Sequence, residues 1–446
     1  MILKKRITLD PPKVLVLGFA LIILLGSFLL TLPVATRNGV GLTWLDAIFT
    51  ATSATCVTGL VVVDTGSTFT LFGQLVILSL IQVGGLGFMT FATLYAIILG
   101  KKISLKERLL LQESLNNLSI EGIVRLAKRI LIFTAVIELT GALLLFIRFS
   151  FDMPLRRAFY YGIFHSISNF NNAGFDLMGE FHSLTDYVED PIVSLVVAGL
   201  ITLGGIGFLV INEVFEYRLT KRLSLHSKVV LMTSAILTLA GTVLIFIFEY
   251  NNPKTLEPLS PMGKFLGSLF QSVTPRTAGS NTLNIGDLTH PTLLLTIFLM
   301  FVGASPGSTG GGIKTTTFAT LLGAVWSQVK GKEDVVFFRQ RVMHDLIYKS
   351  LSVAMSGAMV VMIISMLLTI TEHGKDFLMI LFEATSAFGT VGLSMGLTPE
   401  LSHIGKVLIA LTMFAGRVGP LTIAYALAQR KKHESFRYPK GKIMIG

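Results

Sequence analysis

The sequence predicts an all-α membrane protein built from four tandem helix–loop–helix units, with eight transmembrane helices around a pseudo-fourfold axis. Three observations carry this prediction. The 446 residues are 52% hydrophobic and only 14% charged, with a mean hydropathy of +0.71, whereas about a quarter of a soluble domain is charged. A small-residue motif beginning Phe49-Thr50-Ala51-Thr52-Ser53 and closing on Gly59-Leu60 returns at Phe164 to Gly174, Phe270 to Gly279 and Phe382 to Gly392. Its four glycines stand 115, 105 and 113 positions apart, the kind of period that marks an internal repeat. Finally, each motif lies between two apolar runs, each long enough to cross about 30 Å of hydrocarbon.

Taken in order, unit one (residues 1–100) has apolar segments at 14–33, 44–60 and 71–99. Unit two (101–217) has them at 130–149, 155–175 and 191–211, and unit three (218–330) at 229–248, 264–280 and 292–326. Unit four (331–429) has them at 348–370, 377–393 and 404–428, and 430–446 is a tail. The middle segment of each unit is a half-crossing that turns back. Lys4, Lys5 and Arg6 ahead of the first run resemble the start of a signal peptide. That run is too long for a signal core and lacks a clean small-residue cleavage site, so it reads as a retained span. Residues 105–118 read as an amphipathic connecting helix.

Charge fixes the expected orientation. Of the 37 Lys and Arg residues, 26 fall in the termini and the segments joining the units, from Lys4 through Lys101 and Arg129 to Lys442. By the positive-inside rule these lie in the cytoplasm, with both termini. The net charge of +11 is therefore topological, and nucleic acid is excluded as a partner. The lone Cys56 rules out an intrachain disulfide and a multi-thiolate metal site.

Backbone that turns at membrane depth must face protein or water, because hydrocarbon leaves its N–H and C=O groups unsatisfied. Four inward-facing turns present rings of carbonyl oxygens able to replace the water shell of a monovalent cation. Glycine permits the required backbone angles and adds no side chain to the lumen. Ser and Thr near the turns can anchor them by local hydrogen bonds. A single such glycine would be an ordinary helix C-cap; four copies between crossing helices make a pore loop the better account.

At the turns the chain reads Val57-Thr58-Gly59-Leu60, Asn172-Ala173-Gly174-Phe175, Thr277-Ala278-Gly279-Ser280 and Thr390-Val391-Gly392-Leu393. Helix–pore loop–helix repeated four times with these turns resembles the Trk/Ktr/HKT superfamily of potassium-translocating proteins, and within it the membrane subunits of bacterial Ktr systems. The resemblance covers nearly the whole chain. It implies that Gly59, Gly174, Gly279 and Gly392, each with the two residues before it, form a selectivity filter for potassium, the only metal expected. It also implies a homodimer in the lipid bilayer on a cytosolic ring of RCK/KTN-type (KtrA-like) gating subunits. Any nucleotide, ATP/ADP or NAD, would sit on that partner, and this chain would need no cofactor. Unit three departs from the pattern, with one residue fewer before its glycine and Ser280 where the others have Leu60, Phe175 and Leu393.

A second mark repeats on the last helix of each unit: Val83-Gly-Gly-Leu-Gly, Leu203-Gly-Gly-Ile-Gly, Val302-Gly-Ala-Ser-Pro-Gly and Ala415-Gly-Arg-Val-Gly. In units one and two this reads as close helix packing in lipid. In unit three, Gly303-Ala304-Ser305-Pro306-Gly307-Ser308-Thr309-Gly310-Gly311-Gly312-Ile313-Lys314 breaks the crossing with five glycines and a proline. Its spacing imitates a phosphate-binding loop, but Ile313 intrudes before Lys314 and no buried strand precedes it, so ATP chemistry is rejected and no enzyme is expected. The resemblance makes this loop a mobile gate beneath the filter. Arg417, inside the apolar crossing of unit four, is a functional candidate by its depth. It is expected to face the pore, repel a passing cation and hold the loop closed.

Lesser candidates are Asp46 and Glu383 (cation attraction or helix capping), Arg276 (bracing turn three), and His165 with residues 169–172 (hydrogen bonding behind turn two). The rival reading is a sodium- or proton-coupled secondary transporter, whose broken helices flank a midplane site. Fourfold rather than paired repetition weighs against it.

Overall fold

The computed structural model describes residues 11–87 and 123–419, together with residues 90, 109, 111, 112 and 422. The connecting helix expected at 105–118 and the tail 430–446 fall largely or wholly outside these residues.

Among the described residues, four helices are long and apolar enough to cross a membrane, Lys13–Leu30, Val124–Phe149, Leu225–Glu249 and His344–Thr371, or five if the bent pair Pro191–Gly205 and Phe208–Thr220 is one span. Each of the four is the first helix of one repeated unit. Leu, Ile, Met and Ala fill them, residues that lose little or moderate rotamer freedom in a helix. Their outward faces carry exposed Leu21, Leu25, Leu139, Leu239, Ile247 and Met362, a surface suited to lipid rather than water.

The middle segments form shorter helices, Trp44–Thr55, Leu155–Phe170, Pro261–Val273 and Phe377–Gly389. Three start on side-chain caps: Thr43 accepts from the Asp46 N–H, Ser260 from that of Gly263, and Asp376 from that of Leu378. At 12 to 16 residues and about 1.5 Å per residue they stop short of a full crossing. The motif phenylalanines Phe49, Phe164, Phe270 and Phe382 are at most 1% exposed, each worth about 1.5–3 kcal/mol of burial.

The helix that follows each turn ends or bends at the second repeated mark. Leu71–Leu86 stops at Gly87 (φ +79°) and His403–Val418 stops at Gly419 (φ +91°). Pro191–Gly205 meets Phe208–Thr220 at a 100° bend with Gly207 at φ +94°, and His290–Phe301 is separated from Thr315–Val329 by the glycine-rich loop. The sequence predicted continuous crossings at 71–99, 191–211 and 404–428, of which most of 88–99 and 420–428 lies outside the described residues. Both reasons for glycine operate here: the last one takes a left-handed angle closed to most side chains, while the first allows close approach. A Cβ on Gly84, Gly204 or Gly416 would lie 1.9–2.0 Å from the carbonyl oxygen of Thr55, Phe170 or Phe388.

Where the first helix of a unit ends and its last helix begins, the two are latched. Glu249 accepts from the backbone N–H (2.8 Å) and hydroxyl of Thr289. Glu372 accepts from the backbone N–H (3.0 Å) and hydroxyl of Ser402, and Arg148 pairs with Asp190. Between units, Lys406 on the last helix of unit four donates to Asp46 on the middle helix of unit one at 2.7 Å.

Candidate functional site: a ring of four turns above a glycine-rich loop

The repeated motif explains how each turn is held. Its fifth residue is Ser53, Ser168 or Ser386 near the end of the middle helix, or Thr274 as that helix's C-cap. Ser53 Oγ accepts from the Gly59 N–H and Ser386 Oγ from the Gly392 N–H, both at 3.1 Å. Ser168 Oγ donates to the Phe175 carbonyl at 2.7 Å, and Thr274 Oγ1 to that of Ser280. In all four units one hydroxyl thus fixes the strand climbing away from the helix.

The four turns share one backbone shape. Val57, Asn172, Thr277 and Thr390 take φ of +52°, +58°, +77° and +49°, and Gly59, Gly174, Gly279 and Gly392 take +92°, +67°, +83° and +92°. They also form a closed ring. A Cβ built on Gly59 would lie 2.4 Å from Ala173 O, on Gly174 2.5 Å from Ala278 O, on Gly279 2.4 Å from Val391 O, and on Gly392 2.2 Å from Thr58 O. Each glycine abuts the carbonyl preceding the next glycine in chain order, and the fourth returns to the first. The residue missing from unit three therefore does not open the ring. All four glycines line a cavity of about 390 Å³ whose walls also carry Asp64, Asp176 and Glu400.

Below the ring sits the loop. Beneath the turns a Cβ on Gly310 would lie 1.9 Å from Thr277 Oγ1, and one on Gly311 2.3 Å from Thr390 Oγ1. The loop is seated on the broken helix of unit two: Ser305 N donates to Gly205 O (2.9 Å), Thr309 N and Oγ1 to Gly204 O (3.2 and 3.1 Å), and Phe208 N to Gly307 O (2.9 Å). Ser308 Oγ donates to Ser305 O at 2.6 Å. Lys314 Nζ turns back onto Gly310 O at 2.7 Å, and Ser305 and Thr315 join hydroxyls at 2.8 Å. Gly303 and Gly312 lie within van der Waals reach of each other, while Ala304 is fully buried and Pro306 O lies 2.5 Å from a Cβ on Gly207. Arg417 donates to Thr309 O and Gly84 O, and to Gly85 O at 3.0 Å. Its guanidinium therefore joins unit four to the loop of unit three and the last helix of unit one.

The lesser candidates are placed too. His165 bonds through Nδ1 to Tyr161 O (2.8 Å) and accepts the Leu177 N–H at Nε2 (3.4 Å), which makes Nδ1 the protonated nitrogen. Asn172, with Oδ1 accepting from Thr277 Oγ1 (3.1 Å) and Nδ2 donating to Asn169 O and Ile201 O, satisfies its whole amide. Glu383 accepts from Ser394 Oγ (2.7 Å) and from Thr398. Asp46 is taken up by Lys406 rather than left to attract ions. Arg276 donates to Ser234 and Thr238 on the first helix of its own unit. Sequence reasoning did not single out the seat of the loop on the unit-two carbonyls, nor Glu138 and Gln82 behind turn two. The signal for Glu138 was an acid in an apolar crossing.

Four helices of membrane-crossing length among the described residues and a closed ring of four glycine turns define a multi-pass membrane protein. The chain belongs to the TrkH family of cation transport proteins, whose model matches residues 22–440, and that family transports cations rather than catalysing a reaction. The chain is 47% identical over 442 residues to the Ktr system potassium uptake protein B of Bacillus subtilis, covering 99% of this chain and 98% of that one. It is 39% identical to the potassium/sodium uptake protein NtpJ of Enterococcus hirae over the full length of both. The crystal structure of the potassium transporter TrkH from Vibrio parahaemolyticus matches with a TM-score of 0.72 at 18% identity, over 95% of this chain and 86% of that one.

Proposed function

We propose that this chain carries potassium across the plasma membrane, down its electrochemical gradient, through a filter made by the four turns. The observation that carries this reading is the ring closure, in which each of Gly59, Gly174, Gly279 and Gly392 abuts the carbonyl oxygen before the next. Carbonyls of Thr58, Ala173, Ala278 and Val391 then supply the oxygens that replace the ion's hydration shell. The buried hydroxyls of Thr58 and Thr390, which have no protein partner, suit the same layer. Four repeated units give eight crossings, each last helix counted as one broken crossing. The basic joining segments and both termini face the cytoplasm.

Loop 303–312 and Arg417 form the gate. The loop stands under the turns, and a guanidinium at its crest opposes a cation coming through. Opening requires Thr309 to leave Arg417 and the Gly204 carbonyl. A cytosolic ring of nucleotide-binding subunits under a homodimer of such chains would supply the driving force, with the nucleotide on the ring. Potassium and sodium uptake by the purified chain in liposomes, with and without such a ring, tests this. Potassium preference with faster flux in the presence of the ring is the expected result. The name of the E. hirae relative keeps sodium coupling as the second reading; potassium uptake that saturates with, and requires, sodium would favour it.

A further inference from the structure

We propose that Glu138, in the first helix of unit two, is a positioning residue that holds the second turn of the ring by clasping Asn171. This rests on the reading of the turns as a selectivity filter. Asn171 stands three residues before Gly174 and directly before Asn172. Its Nδ2 donates to Glu138 Oε1 at 2.9 Å, to Gln82 Oε1 at 2.8 Å and to Ile167 O at 2.9 Å, and Gln82 Nε2 donates to Glu138 Oε2 at 3.1 Å. Asn171 is fully buried and Glu138 is 8% exposed. On the far side, a Cβ on Gly85 would lie 2.1 Å from Asn171 Oδ1. The amide is thus wedged between two units, and Glu138 and Gln82 fix its free end.

Unit three repeats the device with different chemistry. Ser166 Oγ donates to Glu138 O at 2.6 Å, and Ser272 Oγ to Thr238 O at 2.7 Å. Gly141 and Gly241, three residues further along, both abut those serines. Glu138 and Thr238 therefore occupy equivalent places. Three residues before Gly279 stands Arg276, which donates to Thr238 Oγ1 at 3.2 Å and Ser234 Oγ at 2.9 Å. In units one and four the corresponding residues are Cys56 and Gly389, too small or too weakly polar to be gripped this way. Two adjacent quarters of the ring are clasped from the first helix, and two are not.

Glu138 works here as a neutral group. No cationic side chain bonds to it among the described residues, and a lone carboxylate at this depth is expensive. The Ile167 carbonyl already accepts the Asn171 backbone N–H at 3.0 Å, so the two Nδ2 hydrogens of Asn171 are left for Glu138 Oε1 and Gln82 Oε1. A protonated carboxyl keeps an acceptor oxygen for Asn171 without a buried charge, and the amide of glutamine would do the same.

The test is potassium and sodium uptake by purified full-length chain in liposomes, with the Michaelis constant for each ion. Glu138→Ala and Asn171→Ala should each lower the potassium-to-sodium uptake ratio by about tenfold, equivalent to about 1.4 kcal/mol, and raise the Michaelis constant for potassium. Glu138→Gln should keep the ratio within about twofold of the parent, a change of roughly 0.4 kcal/mol. The proposal is overturned if either alanine variant, monodisperse after purification, keeps the parental ratio, or if Glu138→Gln falls as far as Glu138→Ala. Should Glu138→Ala fail to assemble, Asn171→Ala and Glu138→Gln still decide. Gly174→Ser separates the two levels: a parental chain without potassium preference, unchanged by Gly174→Ser, overturns the filter reading and this one with it. Loss of preference in Gly174→Ser alone overturns only the clasp.

Discussion

The Arg417 guanidinium donates to the main-chain carbonyl of Thr309, so the only charged side chain in its helix beyond Lys406 is spent on the crest of a loop 108 residues away. Hydrogen bonds to charged groups contribute about 1.5–3 kcal/mol, and this one lies across the proposed path. Arg417→Gln should weaken the latch and remove the opposing charge, raising potassium flux by about tenfold, the equivalent of about 1.4 kcal/mol. Flux assays on the purified variant check this, and reduced uptake by a normally folded protein would count against it.

Gly310 has no room for a side chain, since a Cβ there would lie 1.9 Å from Thr277 Oγ1. Gly310→Ala must push the loop away from the ring or displace turn three. Removing residues 304–311 takes away the obstruction altogether. Flux should rise in both variants, and only Gly310→Ala should also lower the potassium-to-sodium ratio. Unchanged flux in a folded deletion variant would remove the loop from the gating account.

Ser53 and Ser386 pin the N–H groups of Gly59 and Gly392. Alanine at 53 leaves a buried N–H unpaired, a penalty of about 1–3 kcal/mol, and alanine at 386 a part-buried one, at the lower end of that range. Each substitution should lower thermal stability and broaden ion selectivity together. A variant that loses stability while retaining full selectivity would confine the hydroxyl to folding.

At the mouth of the cavity above the four turns, burial pushes the Asp176 carboxyl up to about 7, against the hydrogen bond from the Met178 N–H and the nearby His182 and with a further upward push from Asp64. Because this acid is raised above its ordinary value, it is neutral below that pH and becomes anionic as pH rises. Negative charge at the cavity mouth concentrates cations. Potassium uptake at low potassium should therefore increase between about pH 6 and 8, and Asp176→Asn should flatten the rise. Linkage runs the other way for stability, which this group lowers as pH climbs from the ordinary carboxylate value to about 7 and leaves unchanged above it.

The sequence made the ring legible because its parts recur. Four copies of Phe-x-x-x-[Ser/Thr] followed by glycine can be aligned by eye, and the hydroxyls of that motif turned out to be the pins. The break in unit three was equally readable, because Pro306 and five glycines cannot continue a helix. The breaks at Gly87, Gly207 and Gly419 were hidden, since the same residues serve close packing in lipid and only the backbone angle separates the two uses. Glu138 and Asn171 were hidden for a different reason. Their contact joins separate helices, and its counterpart in unit three uses Thr238 and Arg276, so no repeated residue type marks it.

The central claim is that four turns act as one potassium filter. Its most direct test is the potassium-to-sodium permeability ratio of the purified chain in liposomes, measured for the parent and for Gly59→Ser, Gly174→Ser, Gly279→Ser and Gly392→Ser. A Cβ at each position meets a neighbouring turn within 2.2–2.5 Å, so every one of the four should lower the ratio. A parental chain that passes sodium as readily as potassium, or a serine variant at any of the four that leaves a parental preference intact, would contradict it.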